Sequence, residues 1–370
     1  MNIGIDASRY GHDKATGVEL YSFKIINELV DLAEKDKKAN LILFSRAKLK
    51  ISGAKNIVIN LKRLWTHRGL GKAVKENKLD VLFVPSHVLP IKLPKRSYIM
   101  IHDVAFKYLR SSYSFVQYHY LDWSTKFAVK NATKILVPSE ATKRDLINFY
   151  NCPSEKIEVV YHGFEPLKFT EKEINEVFKK SDVFKYFGIK KDSKFIFFVG
   201  RLESKKNLVR LVEAFAEFSK LNPDYRLVLA GGRGVGFDQL LKTVTQLKIA
   251  EKVVMPGYIT EKEKAALYKS CALFAFPSLY EGFGFPILEA FYYKKPVLTS
   301  HLSCIPEVAD DAAHYVDPYD SSSILAGIEK LLNDQKYAEG LVKKGSGRLK
   351  NFSWKTAGRQ TYKILKENGQ

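Results

Sequence analysis

The chain has 370 residues, of which 46% are hydrophobic and 27% are charged. This length is too great for one ordinary core and predicts two domains with the composition of a soluble globular protein. The sequence has no run of about 18 uncharged apolar residues, which argues against a membrane-spanning helix. The N-terminus, MNIGIDASRYG, carries Asp6 near its start. It therefore predicts a first strand rather than a signal peptide.

Positive charge predominates, with a formal net charge of +20 and a pI of about 9.5. This balance indicates an anionic partner (nucleic acid, a phosphorylated small molecule or an anionic membrane face) or else a lysine-rich solvated surface. The lysines are scattered in pairs, which weakens the case for nucleic acid. Cys152, Cys271 and Cys304 are far apart. They fit neither a disulfide framework nor a zinc site, and they indicate a reducing cytoplasm.

Short apolar runs alternate with amphipathic stretches in the first half of the chain. Strands are predicted at residues 2–6, 40–44, 80–84, 97–101 and 134–137, and a helix is predicted at residues 17–35, where apolar residues recur at helical spacing. The strands are continuously apolar rather than alternating. Such runs are typical of a parallel sheet with helices on both faces.

A second series of elements follows an interdomain region at residues 164–192. Strands are predicted at residues 195–199, 225–230, 253–255, 272–276, 296–299 and 314–316, with a helix at residues 208–220. The sequence thus predicts two α/β halves in tandem, each a doubly wound sheet. Ligands of such sheets bind beyond the carboxyl ends of the strands, and two facing sheets would form one deep cleft.

The stretch PSLYEGFGFPILEAF places Glu281 and Glu289 on either side of a glycine loop. Pro286 falls at the first helical position, and the free amides of the loop and helix dipole make an anion site. A carboxylate accepts hydrogen bonds from sugar hydroxyls. Glu281 and Glu289 would then hold a sugar and a ribose on either side of a diphosphate. Alternatively, Glu289 complements the helix dipole and Glu281 is a solvated loop residue.

Two further clusters follow predicted strands. FIFFVGRLESKKN places Arg201 and Lys206 around a turn, where two cations can neutralise a diphosphate or can be surface charges. SYIMIHDVAFKY places His102 at the carboxyl end of a strand, as a sugar ligand, a proton carrier or a structural residue. The loop before Gly17 would approach the reaction centre or an acceptor. Neither the G-x-G-x-x-G fingerprint nor a Walker loop is present.

These motifs together resemble the retaining glycosyltransferases of family 4, also called group 1. PSLYEGFGFPILEA resembles their E-x7-E signature, and GRLESKKN resembles their G-R-L-x-x-x-K-[GN] element. The same likeness extends to GVELYSFKIINEL, IHDVAF, VPSEATKRDL, YHGFEP, MPGYIT, HLSCIPEVADDAAHYVDP and FSWKTAGRQTY. It departs at Lys294 and Lys295, where a small residue and Gly are common, and at His162, where Asn is common.

The resemblance implies an α/β GT-B fold, in which two Rossmann-like doubly wound domains face each other across a cleft. Residues 1–165 would form an acceptor-binding domain, completed by a C-terminal helix at residues 354–370. Residues 166–353 would bind a nucleoside diphosphate sugar. The implied reaction is sugar transfer with retention of anomeric configuration, without a metal ion or another cofactor.

The resemblance also assigns roles to residues. Arg201 and Lys206 would bind the diphosphate, Glu281 the donor sugar and Glu289 the ribose, while His102 would lie by the reacting face of the sugar. Further predicted substrate-binding residues are Gly17 near the phosphate or acceptor, Gly257, Tyr258 and Ile259 near the base, and Gly282, Phe283, Gly284, Phe285 and Leu288 around the sugar and phosphates.

GDP-mannose is the first choice of donor and UDP-glucose the next. The expected acceptor is a surface polysaccharide or a lipid-linked oligosaccharide. We expect a cytoplasmic protein with peripheral contact to the anionic inner face of the plasma membrane, through the basic stretch at residues 49–75 that contains Trp65. That stretch can equally be a solvated helix with one packed Trp. The alternative functions are a sugar-nucleotide epimerase on the same fold and a basic nucleic-acid-binding protein, although no nucleic acid is expected.

Overall fold

Two compact units make up the chain, Met1–Phe164 with Phe352–Gln370, and Glu165–Asn351. The computed structural model describes residues 1–11, 17–36 and 38–367. Each unit contains one β-sheet in which all neighbouring strands are parallel.

The first sheet has the strand order β3-β2-β1-β4-β5-β6-β7. Its strands are β1 (Asn2–Asp6), β2 (Asn40–Ser45), β3 (Lys55–Val58), β4 (Val81–Val84), β5 (Arg96–Met100), β6 (Lys134–Val137) and β7 (Ile157–Val159). The connecting helices are α1 (Gly17–Lys35), α2 (Gly71–Glu76), α3 (Ala105–Tyr108), α4 (Phe115–Asn131) and α5 (Glu140–Tyr150).

The second sheet has the strand order β10-β9-β8-β11-β12-β13. Its strands are β8 (Phe195–Val199), β9 (Arg226–Ala230), β10 (Val253–Gly257), β11 (Leu273–Phe276), β12 (Val297–Ser300) and β13 (His314–Val316). The helices of this unit are α6 (Glu171–Lys180), α7 (Asp182–Tyr186), α8 (Leu208–Leu221), α9 (Phe237–Gln246), α10 (Glu261–Ser270), α11 (Phe285–Tyr292), α12 (Ile305–Ala309), α13 (Ser321–Asn333) and α14 (Gln335–Arg348).

Two central strands, β4 and β11, are buried along their whole length, which explains their continuously apolar sequences. Every residue of β4 (VLFV) and β11 (LFAF) is buried. Strand order reverses between β1 and β4 in the first sheet, and between β8 and β11 in the second. Doubly wound sheets bind ligands at such a reversal, beyond the carboxyl ends of the strands.

A last helix, α15 (Trp354–Lys366), returns to the first unit and packs on α1. The return requires close approach of two backbones, because a Cβ atom on Gly163 would lie 2.1 Å from the Trp354 nitrogen. The Tyr362 hydroxyl also donates a hydrogen bond to Asp36 (3.1 Å).

The predicted α/β class and the two parallel sheets are confirmed. The prediction omitted β3 and β7, which lie at the edges of the first sheet and are short. Edge strands have fewer buried positions, so they leave a weaker apolar signal than central strands. In the described part of the chain, no helix combines the length and apolarity that crossing a bilayer requires.

Candidate active site

The loops that follow β8 and β11 carry three of the predicted site residues. Arg201 and Lys206 follow β8, and Glu281 follows β11. These two strands are neighbours at the point where the order of the second sheet reverses. The loops are joined by a hydrogen bond from the Leu279 amide to the Lys205 carbonyl (2.8 Å). The sheet therefore brings both loops to the position where doubly wound folds bind ligands.

Lys206 and Glu281 form a buried ion pair at this position. The Lys206 ammonium donates to Glu281 Oε1 over 2.5 Å, and both side chains are about nine-tenths buried. The Lys206 nitrogen also lies 5.1 Å from the centroid of the Phe276 ring. The sequence predicted separate ligands for these two residues, whereas the structure places them in direct contact. Neither residue is a solvated surface charge.

Arg201 is exposed, and a glycine-rich loop braces the segment that carries it. Leu202 donates to the Gly232 carbonyl (2.8 Å) and accepts from the Gly234 amide (2.9 Å). A Cβ atom on Gly234 would lie 2.9 Å from Arg201 Cγ, so glycine makes room for the arginine side chain. The segment LAGGRGVGFD matches no nucleotide fingerprint, but its backbone holds the loop that carries Arg201 in place.

The backbone of Glu281 is held by the loop after β12. Its amide donates to the Ser303 hydroxyl (3.2 Å), and its carbonyl accepts from the hydroxyl of Ser303 and from the Cys304 thiol (3.1 Å). At the end of β12 itself, the Ser300 hydroxyl donates to the Ser278 carbonyl (2.5 Å). Sequence reasoning missed Ser303, although it lies in the quoted motif HLSCIPEVADDAAHYVDP.

Glu289 lies on α11 and has partners of its own. The Lys264 ammonium donates to Glu289 Oε1 (2.8 Å), and the Tyr268 hydroxyl donates to Oε2 (3.0 Å). Burial by itself lowers the pKa of Lys264, but the carboxylates of Glu289 and Glu261 outweigh it and raise that pKa. Burial first, and then Glu289, raise the pKa of Tyr268. Lys264 and Tyr268 were not singled out in the sequence, because α10 carries no recognisable motif.

Helix α11 begins at Phe285, so Pro286 is its second residue and not, as predicted, its first. Gly284 has φ of 97° and immediately precedes the helix, and Pro286 lies in its first turn. The rings of Phe283 and Phe285 contact each other edge to face, with centroids 5.1 Å apart. Gly282 is half-buried, and the side chain of Leu288 is completely buried. A role for these residues in substrate binding stays a prediction.

The three residues predicted near the base lie at the end of β10. Gly257 has φ of 75°, and a Cβ atom there would meet open space. Tyr258 is exposed and Ile259 is buried. The Gly257 carbonyl accepts from the Gly231 amide (2.7 Å), which ties this loop to the one after β9.

His102 lies in the first unit, after β5, among other aromatic rings. Its Nε2–H donates to the Pro85 carbonyl (2.9 Å), so Nδ1 is the unprotonated nitrogen of the neutral ring. Burial, and then the neighbouring His87, lower the pKa of His102 to about 3. The rings of His87 and His162 lie 5.1 and 5.4 Å away. His102 is therefore neutral at physiological pH and can accept a hydrogen bond through Nδ1.

Gly17 is the exposed first residue of α1. Residues 12–16, which complete the loop before it, lie outside the described residues. In the parts of the chain that are described, no group of three or more His, Cys, Asp and Glu side chains is arranged to hold a metal ion.

Comparison with known proteins agrees with this geometry. The family model of glycosyl transferases group 1 matches residues 169–348, and the model of glycosyltransferase family 4 matches residues 51–166. The chain belongs to the group 1 glycosyltransferases. The predicted family and enzyme class are confirmed, and the family assignment favours transfer over the epimerase alternative.

Two similar proteins are named as O-antigen chain mannosyltransferases. O-antigen chain mannosyltransferase B of Escherichia coli is 28% identical over 321 residues, covering 84% of this chain and 81% of that protein. O-antigen chain mannosyltransferase RfbU of Salmonella typhimurium is 26% identical over 343 residues, covering 88% and 90%. Among solved structures, sucrose-phosphate synthase from Thermosynechococcus elongatus superposes with a TM-score of 0.76 at 17% identity, covering 98% of both chains. This group 1 glycosyltransferase thus has the predicted GT-B fold.

Proposed function

We propose that this glycosyltransferase moves a mannosyl residue from GDP-mannose to a polysaccharide or lipid-linked oligosaccharide, with retention and without a metal ion. The buried Lys206–Glu281 pair beside Arg201, at the reversal point of the second sheet, carries the proposal. The two relatives named as O-antigen chain mannosyltransferases support mannose and a saccharide acceptor. The first unit would bind the acceptor, and the second would bind the donor.

Departure of the diphosphate builds negative charge that must be stabilised. In our proposal Arg201 and Lys206 meet this charge from the side chains, and the amides before α11 meet it from the backbone. Arg201 contributes a bidentate fork on the exposed side, and Lys206 a compact charge on the buried side. Glu281 fixes the Lys206 ammonium through one oxygen and accepts a sugar hydroxyl at the other.

The remaining roles follow from position. Glu289 would accept the ribose hydroxyls while Lys264 and Tyr268 hold its carboxylate in one orientation. His102 would accept a hydrogen bond from a sugar hydroxyl through Nδ1, because its pKa of about 3 removes it as a proton donor. Gly17 would lie by the phosphate or acceptor, and Gly257, Tyr258 and Ile259 by the base.

We propose a front-face transfer that needs no protein nucleophile. The acceptor oxygen forms a bond to the anomeric carbon on the face from which the diphosphate departs. The bond between the anomeric carbon and the phosphate oxygen breaks, and that oxygen takes the acceptor proton. Retention of configuration follows because attack and departure share one face.

Thermal unfolding with GDP, UDP and ADP tests the donor. A ligand at a hundred times its Kd stabilises the folded state by about 2.7 kcal/mol. We expect GDP alone to raise the melting temperature of the wild type, and Arg201→Ala to lose most of that rise. Selective stabilisation by UDP would contradict the guanosine donor. No response to any nucleotide would contradict the diphosphate site.

Incubation with GDP-mannose and an acceptor glycan tests the reaction itself. We expect NMR of the product to show an α-linkage, the anomeric configuration of the donor, and we expect EDTA to leave the rate unchanged. A β-linked product would refute the retaining mechanism. A rate restored only by added Mg²⁺ would refute metal independence.

A further inference from the structure

Helix α4 in the first unit packs Tyr118, Leu121, Phe127 and Val129 against the core as partly buried side chains, and it leaves other large apolar side chains exposed. The buried side chains of this helix are those of Asp122, Ser124, Thr125 and Ala128. The most exposed apolar side chains are Val116 (76% exposed) and Phe115 (71%), followed by Tyr120 and Trp123. A surface helix of a soluble protein normally buries its apolar stripe and exposes its polar one. This helix therefore presents an apolar surface that its own unit does not cover.

Phe115, Val116, Tyr120 and Trp123 form a ridge that begins at the first residue of the helix. Val116, Tyr120 and Trp123 are spaced four and three residues apart, which places them on the same side of the helix. The rings of Tyr120 and Trp123 stack, with centroids 6.0 Å apart. A capping box begins the helix, in which Ser114 accepts from the Gln117 amide and Gln117 accepts from the Ser114 amide. The ridge is thus displayed on an ordered element.

A basic segment adjoins the ridge. The His67 ring lies 5.7 Å from the Trp123 ring, and His67 Nε2 is within 3.3 Å of the Tyr120 hydroxyl. Residues 49–75 contain no Asp or Glu. The exposed side chains of this segment next to His67 are the cations Lys62, Arg63 and Arg68 and the apolar Leu61 and Leu64.

We infer that the ridge and this basic segment dock the enzyme on the surface of an anionic lipid bilayer. Aromatic side chains partition into the headgroup region, and nearby Lys and Arg are attracted to anionic lipids. The combination of exposed Phe, Tyr and Trp with neighbouring exposed cations fits both properties of that surface. It favours lipid over a second copy of this chain, because two such cationic faces would repel each other.

The structure also changes which tryptophan takes part. The basic stretch at residues 49–75 was predicted to contact the membrane with Trp65, but Trp65 is only 2% exposed and donates its Nε1–H to the Ile59 carbonyl (3.2 Å). Of the three tryptophans of the chain, Trp65 and Trp354 are buried and Trp123 is 42% exposed. Trp123 therefore replaces Trp65 as the aromatic anchor, and the cations of the stretch keep their proposed role.

Vesicle binding by the full chain tests this inference. Phosphatidylcholine vesicles with and without phosphatidylglycerol are sedimented with the protein, and tryptophan fluorescence is followed in parallel. We expect binding only with phosphatidylglycerol, and a blue shift of the emission because Trp123 leaves water. The double variant Phe115→Ser/Val116→Ser should bind about tenfold to a hundredfold more weakly.

A matched control separates the ridge from general surface hydrophobicity. Tyr186 and Leu221 are 84% and 83% exposed and lie in the other unit. Tyr186→Ser/Leu221→Ser should bind vesicles like the wild type, and both double variants should keep its melting temperature. Equal binding by the two double variants would overturn the inference. Self-association of the wild type that the ridge variant abolishes would also overturn it, by assigning the ridge to a second copy.

Discussion

Breaking the buried pair Lys206–Glu281 should cost more stability than removing a surface charge. Lys206→Met removes the cation and leaves the Glu281 carboxylate buried, with a side-chain exposure of 9%. Removing one partner of a buried pair costs about 3–5 kcal/mol. One kcal/mol shifts the melting temperature by about 2–4 °C in a unit of this size. We therefore expect a drop of about 6 °C or more at neutral pH.

Scanning fluorimetry of Lys206→Met and Lys205→Met at neutral pH tests this prediction. Lys205 is the neighbouring lysine, and its nitrogen lies 3.6 Å from Glu203, with both side chains 21% exposed. We expect Lys205→Met to cost less than about 1 kcal/mol at this pH. Adding Glu281→Gln to Lys206→Met should restore part of the lost stability. Equal melting of the two lysine variants, or additive losses in the double variant, would refute a tight buried pair.

Three further predictions concern the rest of the site. Arg201→Ala should lower kcat/KM at least about a hundredfold with an unchanged melting temperature, because the side chain is exposed and stabilises the leaving group in the proposed mechanism. A normal rate would exclude that role. Ser303→Gly should lower kcat about tenfold, because it removes the hydroxyl that holds the Glu281 backbone, and glycine suits the φ of 58° at this position. Ser300→Ala should leave kcat unchanged. Equal kinetics in the two variants would contradict a role of Ser303 in positioning Glu281. Burial lowers the pKa of His102 to about 3 in the folded protein, whereas the unfolded chain has a pKa of about 6.5. The free energy of unfolding should therefore decrease as the pH drops below 6.5, by about 2–3 kcal/mol at pH 4.5. His102→Gln should flatten that profile in denaturant titrations, and an unaltered profile would assign the loss to other groups.

Much of the fold and part of the site could be predicted from the sequence because the signals are local. A buried parallel strand needs a continuous apolar run, so β4 and β11 were visible in their own residues. A glycine followed two residues later by a proline likewise marks the start of α11. Short motifs sufficed to name the family and to single out Arg201, Lys206 and Glu281 as candidates for the site.

Only the tertiary structure decided which side chains meet. Lys206 and Glu281 are 75 residues apart in sequence, and Glu289 finds Lys264 and Tyr268 on a different helix. The periodicity of a helix likewise shows that it has two faces but not which one is covered. In helix α4 the packed fold buries Asp122, which pairs with Lys107 (2.5 Å), and leaves Phe115, Val116 and Trp123 exposed. Contacts between distant segments carry no local sequence signal, so pairing and exposure depend on the packed fold.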